Sequence, residues 1–282
     1  MKIFEKQVEL RSFLQSIATT NSTLGFVPTM GALHNGHLSL LKESVNSNTI
    51  TVISIFVNPT QFNNLEDLEK YPRTLEDDLA KIRSVSDAIV VYAPTVADIY
   101  EGNTNAEHFD FDGLENQMEG KFRPGHYDGV GTVVKKLFEI VQPTRAYFGE
   151  KDFQQLMVVK KLVEKIKLKV EIIACPIHRE KNGLAMSSRN ERLTESEKKE
   201  AALIYKVLKD SKVLFKSKSA NAIAEWVKVI FKNNKNFELE YFQIADENRL
   251  LPCKRKNKNK KYRAFIAVFV NNVRLIDTVP LY

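Results

Sequence analysis

The residues best able to do chemistry in this 282-residue chain lie between positions 24 and 41, LGFVPTMGALHNGHLSLL. Two of the five histidines, His34 and His37, flank Gly36 here. An apolar run (Leu24, Phe26, Val27) reads as a buried strand, broken by Pro28 and Gly31. Leu38, Leu40 and Leu41 then open an apolar helix. This layout predicts two imidazoles at a strand-to-helix junction, where backbone N–H groups and the helix dipole favour phosphate. Gly36 lets a ligand approach the backbone closely, and imidazoles can donate to phosphate oxygens. Histidines that merely sit at a helix start are the alternative, which their concentration here argues against.

The HxGH pattern is the mark of the nucleotidylyl-transfer superfamily, a Rossmann-like group that includes class I aminoacyl-tRNA synthetases. Far downstream, Met186, Ser187, Ser188 and Arg189 in GLAMSSRNERLT resemble the flexible loop with which that superfamily closes over a triphosphate. Hydroxyls donate to phosphate, and arginine adds a fixed bidentate charge. Between these motifs stand SIFVNPTQFNNLEDLEKYPRTLEDDL from Ser54, KFRPGHYDGVGTVVKKLF from Lys121 and AYFGEKDFQQL from Ala146. Taken together, PTMGALHNGH, GLAMSSRN and these segments closely resemble the pantothenate synthetase (pantoate–β-alanine ligase) family. The resemblance runs in order from about Gly25 to Arg192 and recurs in RLIDTV, from Arg274 to Val279.

That resemblance implies a two-step ligation. Pantoate carboxylate attacks the α-phosphorus of ATP, and the β-alanine amine then attacks the acyl carbonyl of the pantoyl adenylate. Catalysis of the first step would be positioning and neutralisation of charge. The resemblance also implies that His34 and His37 contact the phosphates, with His37 as proton donor. An unperturbed imidazole titrates at about 6.5, so bound phosphate is expected to keep it protonated near neutrality. Lys151 is expected at the α-phosphate, Ser187, Ser188 and Arg189 over the β and γ groups, and Gly149 and Asp152 at the ribose. Met30, Gly31, Ala32, Leu33, Asn35, Gly36, Glu150, His178 (through its backbone) and Met186 complete the implied ATP contacts. Gln61 and Gln155 are expected to bind substrate, with Pro28, Thr29, Asn58, Tyr71 and Arg123 as further candidates. Magnesium would be bound through the ATP phosphates, so the implied set contains no protein metal ligand. A homodimer is implied as well. The chain departs from the family pattern at His178 and at the Asn271–Asn272–Val273 turn, neither of which alters a side chain with an implied catalytic role.

The elements needed to position these residues are legible as β-α alternation. Residues 49–57 and 88–92 read as strands with 75–83 helical between them, 131–141 as a helix ended by Pro143, and 145–148 as a strand. A helix begins near Phe153, and 170–177 reads as another buried strand. The pattern predicts an α/β fold with a Rossmann-like parallel sheet, helices on both faces and ligands beyond the carboxyl ends of strands. After about Ile177 it changes. Thr194 and Glu197 form a capping box for a helix reaching about Phe215, and a second helix carries Ile223, Trp226, Val227 and Ile230. Strands at 237–244, 262–270 and 274–281 follow. Residues 1–177 are therefore expected to form the nucleotide- and pantoate-binding domain, and 178–282 a smaller α+β lid carrying the MSSR loop. Trp226 is expected in the core. Asp77 and Asp78 could suggest acid–base work, but a solvent-facing or sheet-bracing role suits them better.

Composition excludes other classes. Apolar content of 43% and charged content of 27% are ordinary for a globular protein. No apolar stretch is long enough to span a membrane, and MKIFEKQVELRS does not read as a signal peptide. Cys175 and Cys253, without metal-ligand spacing, fit a reduced cytoplasmic protein. The net charge of +7 equals the seven basic residues of one acid-free run, KRKNKNKKYR at 254–263. Such a run is expected to be a solvated hairpin loop rather than a nucleic-acid patch, since it lacks interleaved aromatics. The rival readings are a nucleotidylyltransferase acting on a phosphate-bearing acceptor, which would need basic groups for that phosphate where the second-substrate pocket is expected to offer Gln61, Gln155 and apolar Phe62, and a nucleic-acid-binding protein using residues 254–263.

Overall fold

The computed structural model describes residues 1–282. In chain order the elements are β1 (Lys2–Phe4), α1 (Gln7–Ile17), β2 (Leu24–Thr29), α2 (Asn35–Ser47), β3 (Ile50–Ile55), α3 (Leu65–Glu69), α4 (Leu75–Arg83), β4 (Val90–Tyr92), α5 (Val96–Tyr100), α6 (Met118–Phe122) and α7 (His126–Val141). They continue with β5 (Arg145–Gly149), α8 (Phe153–Lys165), β6 (Glu171–Cys175), α9 (Glu195–Leu214), α10 (Ala220–Lys232), β7 (Phe237–Asp246), β8 (Tyr262–Val270) and β9 (Val273–Pro280). The first six strands form one parallel sheet in the order β1-β4-β3-β2-β5-β6, and the last three an antiparallel sheet in the order β7-β8-β9. The expected fold class is therefore observed.

Strand order explains where a ligand can sit. The chain runs outward from β2 to β3 and β4, then returns to place β5 on the other side of β2. That reversal leaves a crevice at the carboxyl ends of β2 and β5, beyond Thr29 and Gly149. Phe26, Val27, Val52 and Ile53 are fully buried in the central strands. Covered on both faces, such strands need continuous apolar runs rather than alternation, and each large side chain contributes about 2 kcal/mol.

The N-terminal β1 and α1 were not anticipated; a three-residue edge strand has no room for a pattern. Helix α7 begins at His126, five residues before the expected Gly131, because Gly125 (φ 77°) supplies its N-terminal turn. The segment HYDGVG lacks apolar periodicity, yet His126, Tyr127 and Val130 are buried. Strand β6 stops at Cys175, before Pro176, and β7 runs on to Asp246. The Thr194–Glu197 capping box is present, with the Glu197 N–H donating to Thr194 Oγ1 at 3.3 Å and the Thr194 N–H to Glu197 Oε2 at 2.6 Å. Trp226 is half-buried at the rim of the second core rather than within it. Asn271 takes a positive φ of 50° in the two-residue β8–β9 turn, a conformation asparagine tolerates well.

The antiparallel sheet packs on the large one without an intervening gap. Ala245, Leu250 and Phe265 belong to the same core as Phe26 and Phe138. Arg274 bonds Glu119 through both terminal nitrogens at 2.8 Å, and Arg263 reaches Glu150 at 3.0 Å. Arg263 corrects the expectation for the basic run. It is 2% exposed, paired with Glu150 and Glu247, and lies 4.0 Å over the Phe153 ring. Lys254, Arg255 and Lys258 remain exposed, as a solvated loop requires. No helix is long and apolar enough to cross a membrane.

Candidate active site

The segment after β2 is fixed by hydrogen bonds before it reaches the histidines. Gly31 turns with φ 82°, and Ala32 follows with φ 49°. The N–H groups of Ala32 and Leu33 donate to the buried Asp78 carboxylate at 2.9 and 2.6 Å. Lys81 of the same helix donates to the Leu33 carbonyl at 2.7 Å. Asp78 thus braces this loop, not a sheet edge, while Asp77 is exposed. Burial raises the Asp78 carboxyl above its usual value, opposed by the two backbone N–H bonds.

Helix α2 starts with a cap made by the two imidazoles. His34 Nδ1 accepts from the Gly36 N–H at 3.1 Å, and His37 Nδ1 accepts from the His34 N–H at 3.3 Å. These backbone donors, expected to be free for phosphate, are therefore taken. The exchange leaves each neutral ring with its proton on Nε2, because one imidazole nitrogen donates when the other accepts. The rings lie 4.0 Å apart. Burial first, then His37, Lys151 and Lys81, depress His34 to about 2 against the opposing pull of Asp152. Burial followed by Lys151 and Lys81 lowers His37 to about 4. Only glycine fits at position 36, since a Cβ there would stand 2.8 Å from His34 Cε1.

Across the crevice, Asn58 and Gln61 are equally constrained. The buried Asn58 amide donates to Gln61 Oε1 at 2.9 Å and accepts from the Tyr100 hydroxyl at 2.6 Å. Gln61 Nε2 rests against Met30 Sδ at 3.3 Å. Its carbonyl accepts from His126 Nδ1 at 2.8 Å and from Arg123 Nη2 at 3.2 Å. His126, held at about 4 by burial and then by Arg123, keeps its single proton on that Nδ1. Arg123 and His126 thus position Gln61 from behind. KFRPGHYDGV carried both residues, but only a contact 65 positions away in sequence reveals the role of His126.

The serine-rich motif forms a 3-10 turn, Ser188–Arg192. Ser188 Oγ donates to the Ala32 carbonyl at 2.9 Å, tying the turn to the histidine loop. Arg189 pairs with Asp67 at 2.7 Å, and Arg192 pairs with the same carboxylate at 3.1 Å. Lys151 and Asp152, just past β5, stand 3.6 Å apart.

A cavity of about 230 Å³ joins these pieces. Met30, His34, Gly36, His37, Gly149, Lys151, Asp152, His178, Met186, Ser187, Ser188 and Arg189 line it, as do Gln61, Gln155, Pro28, Thr29, Asn58 and Tyr71. Seven expected residues do not. Gly31, Ala32 and Leu33 are buried behind the loop, Asn35 is exposed, Glu150 turns to Arg263, Arg123 lies behind Gln61, and Phe62 packs edge-on against Tyr71 with ring centroids 5.7 Å apart. The His178 carbonyl, expected to border a nucleotide, accepts from the Met186 N–H at 3.0 Å. The wall also contains Leu40, Phe56, Val130 and Val133, and Asp152 is its only carboxylate. No group of three or more His, Cys, Asp or Glu side chains could hold a metal ion.

Three comparisons with known proteins agree. The family model described as pantoate-beta-alanine ligase matches residues 2–280. A pantothenate synthetase of Flavobacterium psychrophilum is 64% identical over 281 residues, covering 100% of both chains. Another from Christiangramia forsetii is 50% identical over 281 residues, covering 100% of this chain and 99% of the relative. Among solved structures, pantothenate synthetase from Thermus thermophilus superposes with a TM-score of 0.90 at 37% identity, with full coverage of both chains. Pantoate-beta-alanine ligase from Francisella tularensis, complexed with beta-gamma ATP and β-alanine, gives 0.82 at 35% identity, covering 100% of this chain and 98% of that one. With its site at the β2–β5 crevice and its full length matched, the chain belongs to the pantoate–β-alanine ligase family.

Proposed function

We propose that the chain joins pantoate to β-alanine at the expense of ATP, through a pantoyl adenylate, releasing AMP and pyrophosphate. One observation carries this reading: a single cavity is lined by His34, His37, Lys151, Arg189, Gln61 and Gln155 together. The cavity combines donors and cations with neutral amides and apolar walls. The two Nε2–H groups and Lys151 suit the α-phosphate, where charge accumulates as the carboxylate attacks. Ser187 and Arg189 suit the outer phosphates, and Gly149 with Asp152 the ribose. Gln61 and Gln155 suit the hydroxyls and carboxylate of pantoate, whose branched carbon skeleton matches Phe56, Val130 and Val133. The β-alanine amine then displaces AMP from the acyl carbon. Magnesium, held by phosphate oxygens and water with Asp152 nearby, would neutralise polyphosphate charge when bound.

Neutral and apolar side chains outnumber charged ones in the cavity that Gln61 and Gln155 line, and Arg123 and His126 are engaged by the Gln61 backbone carbonyl, which favours a carboxylate substrate over the rival phosphate-bearing acceptor. Residues 178–282 would form the lid over the nucleotide, with residues 1–177 carrying the remainder of the site. The same family reading includes a homodimer and a cytoplasmic location. Two buried free thiols, Cys175 and Cys253, suit a reducing compartment.

The test is AMP release from ATP and magnesium, with pantoate and β-alanine supplied singly and together. AMP is expected only with both, and pyrophosphate exchange into ATP with pantoate alone. Turnover of other acids but not pantoate would keep the fold and overturn the substrate.

A further inference from the structure

A second cavity, about 660 Å³, meets the first at Lys151, Asp152, Ser187 and Arg189. Its wall brings α3 near the β8–β9 turn, and Asp67 of α3 lines it. Both oxygens of the Asp67 carboxylate are engaged: Oδ2 accepts from Arg189 Nη2 at 2.7 Å and Oδ1 from Arg192 Nη1 at 3.1 Å. All three side chains are about one quarter exposed, at 25–27%, so solvent screens these pairs less than it screens surface pairs.

Arg189 is the guanidinium that the ligase reading directs at phosphate, yet here it is committed to an acid on another element. A phosphate that takes Arg189 must either displace Asp67 or share the guanidinium with it at close range. Either course subtracts from phosphate affinity, because like charges brought together in a partly desolvated site repel. Arg192 holds the carboxylate at the junction, so Asp67 is not free to swing away. Each catalytic cycle of the proposed ligase must also release pyrophosphate, an anion that Arg189, Lys151 and two imidazole donors would otherwise retain.

We propose that Asp67 is a positioning residue that competes with polyphosphate for Arg189, weakening the grip on pyrophosphate so that this product leaves. The inference rests on the ligase reading and deepens it at the phosphate end of the same site.

Inorganic pyrophosphate with magnesium, titrated calorimetrically into wild type, Asp67→Asn and Asp67→Glu, tests it. Steady-state KM values for ATP and pantoate accompany the titration. Asp67→Asn is expected to bind pyrophosphate about fivefold tighter, the worth of a half-buried ion pair. Its KM for ATP should fall in parallel, its KM for pantoate should not move, and Asp67→Glu should return to wild type. A merely structural bridge gives the reverse: weaker pyrophosphate binding, with both KM values raised in Asp67→Asn. Should that variant fail to fold, carboxyl-13C spectra of the wild type supply the readout. The Asp67 signal must shift as pyrophosphate saturates the site, and an unmoved signal overturns the proposal. Wild type that binds neither pyrophosphate nor ATP brings down the ligase reading, and this inference with it. Wild type that binds both, beside an Asp67→Asn no tighter, overturns the Asp67 inference alone.

Discussion

His37→Ala is expected to lower kcat by about 100- to 1,000-fold, the usual loss when one preorganised donor to a developing charge is removed. The variant should remain folded, since the lost cap bond from the His34 N–H contributes about 1 kcal/mol. Steady-state kinetics beside a thermal melt checks both halves. His37→Gln should recover part of the loss, because its amide nitrogen reaches about as far as Nε2 and can donate in its place. The pH dependence is a further consequence. Phosphate was expected to keep His37 charged near neutrality, but the protein's own contribution runs the other way. Burial, then Lys151 and Lys81, lower the ring to about 4, so the neutral Nε2–H is the form the fold supplies. Because the folded value lies below the unfolded one, the unfolded chain takes up the proton first as pH falls. Stability attached to His37 is therefore complete above about pH 6.5 and declines as pH drops toward 4.

Arg274→Ala is expected to cost about 3–5 kcal/mol, since it strands a buried carboxylate without its partner. Glu119 is 6% exposed; it accepts from both terminal nitrogens of Arg274 and from the Tyr241 hydroxyl at 2.7 Å. Burial pushes its carboxyl up, but the Arg274 bonds and charge override this and hold it at about 2. Calorimetry should show a melting temperature lower by about 10 °C for a chain of this size. A depressed carboxyl stabilises above its unfolded value of 4.5 and loses that contribution as pH falls toward 2. The gap between wild type and variant should accordingly narrow in acid. A gap that stays constant from pH 7 to pH 3 would show that Arg274 acts through packing alone.

Legibility in the sequence followed the length scale of the physics. Strand β2, helix α2 and the α9 capping box depend on residues within four positions of one another, and all three are visible as patterns. The cavity lining was likewise reachable, because the HxGH and MSSR motifs and both glutamines lie just past strands or in a recognisable loop. Second-rank contacts were not. The Asp78 clamp on Leu33 and Ala32 joins residues 45 and 46 positions apart, and Asp67 meets Arg189 across 122. Nothing local marks one aspartate of EDD as buried and its neighbour as exposed. The same holds for Arg263, one basic residue among seven in its run, which the fold withdraws into a buried ion pair. Ala32, Leu33 and Glu150 illustrate the converse: they sit inside motifs that carry function, yet their side chains serve the scaffold.

In the proposed reaction a pantoate carboxylate oxygen forms a bond to the α-phosphorus of ATP in this cavity. Pantoate carrying oxygen-18 in its carboxylate, turned over with unlabelled ATP and β-alanine, tests it by mass spectrometry of the products. One labelled oxygen is expected in AMP, because the acyl C–O bond breaks when the amine attacks and AMP departs with the bridging atom. Unlabelled AMP, or label in inorganic phosphate beside ADP, would contradict it.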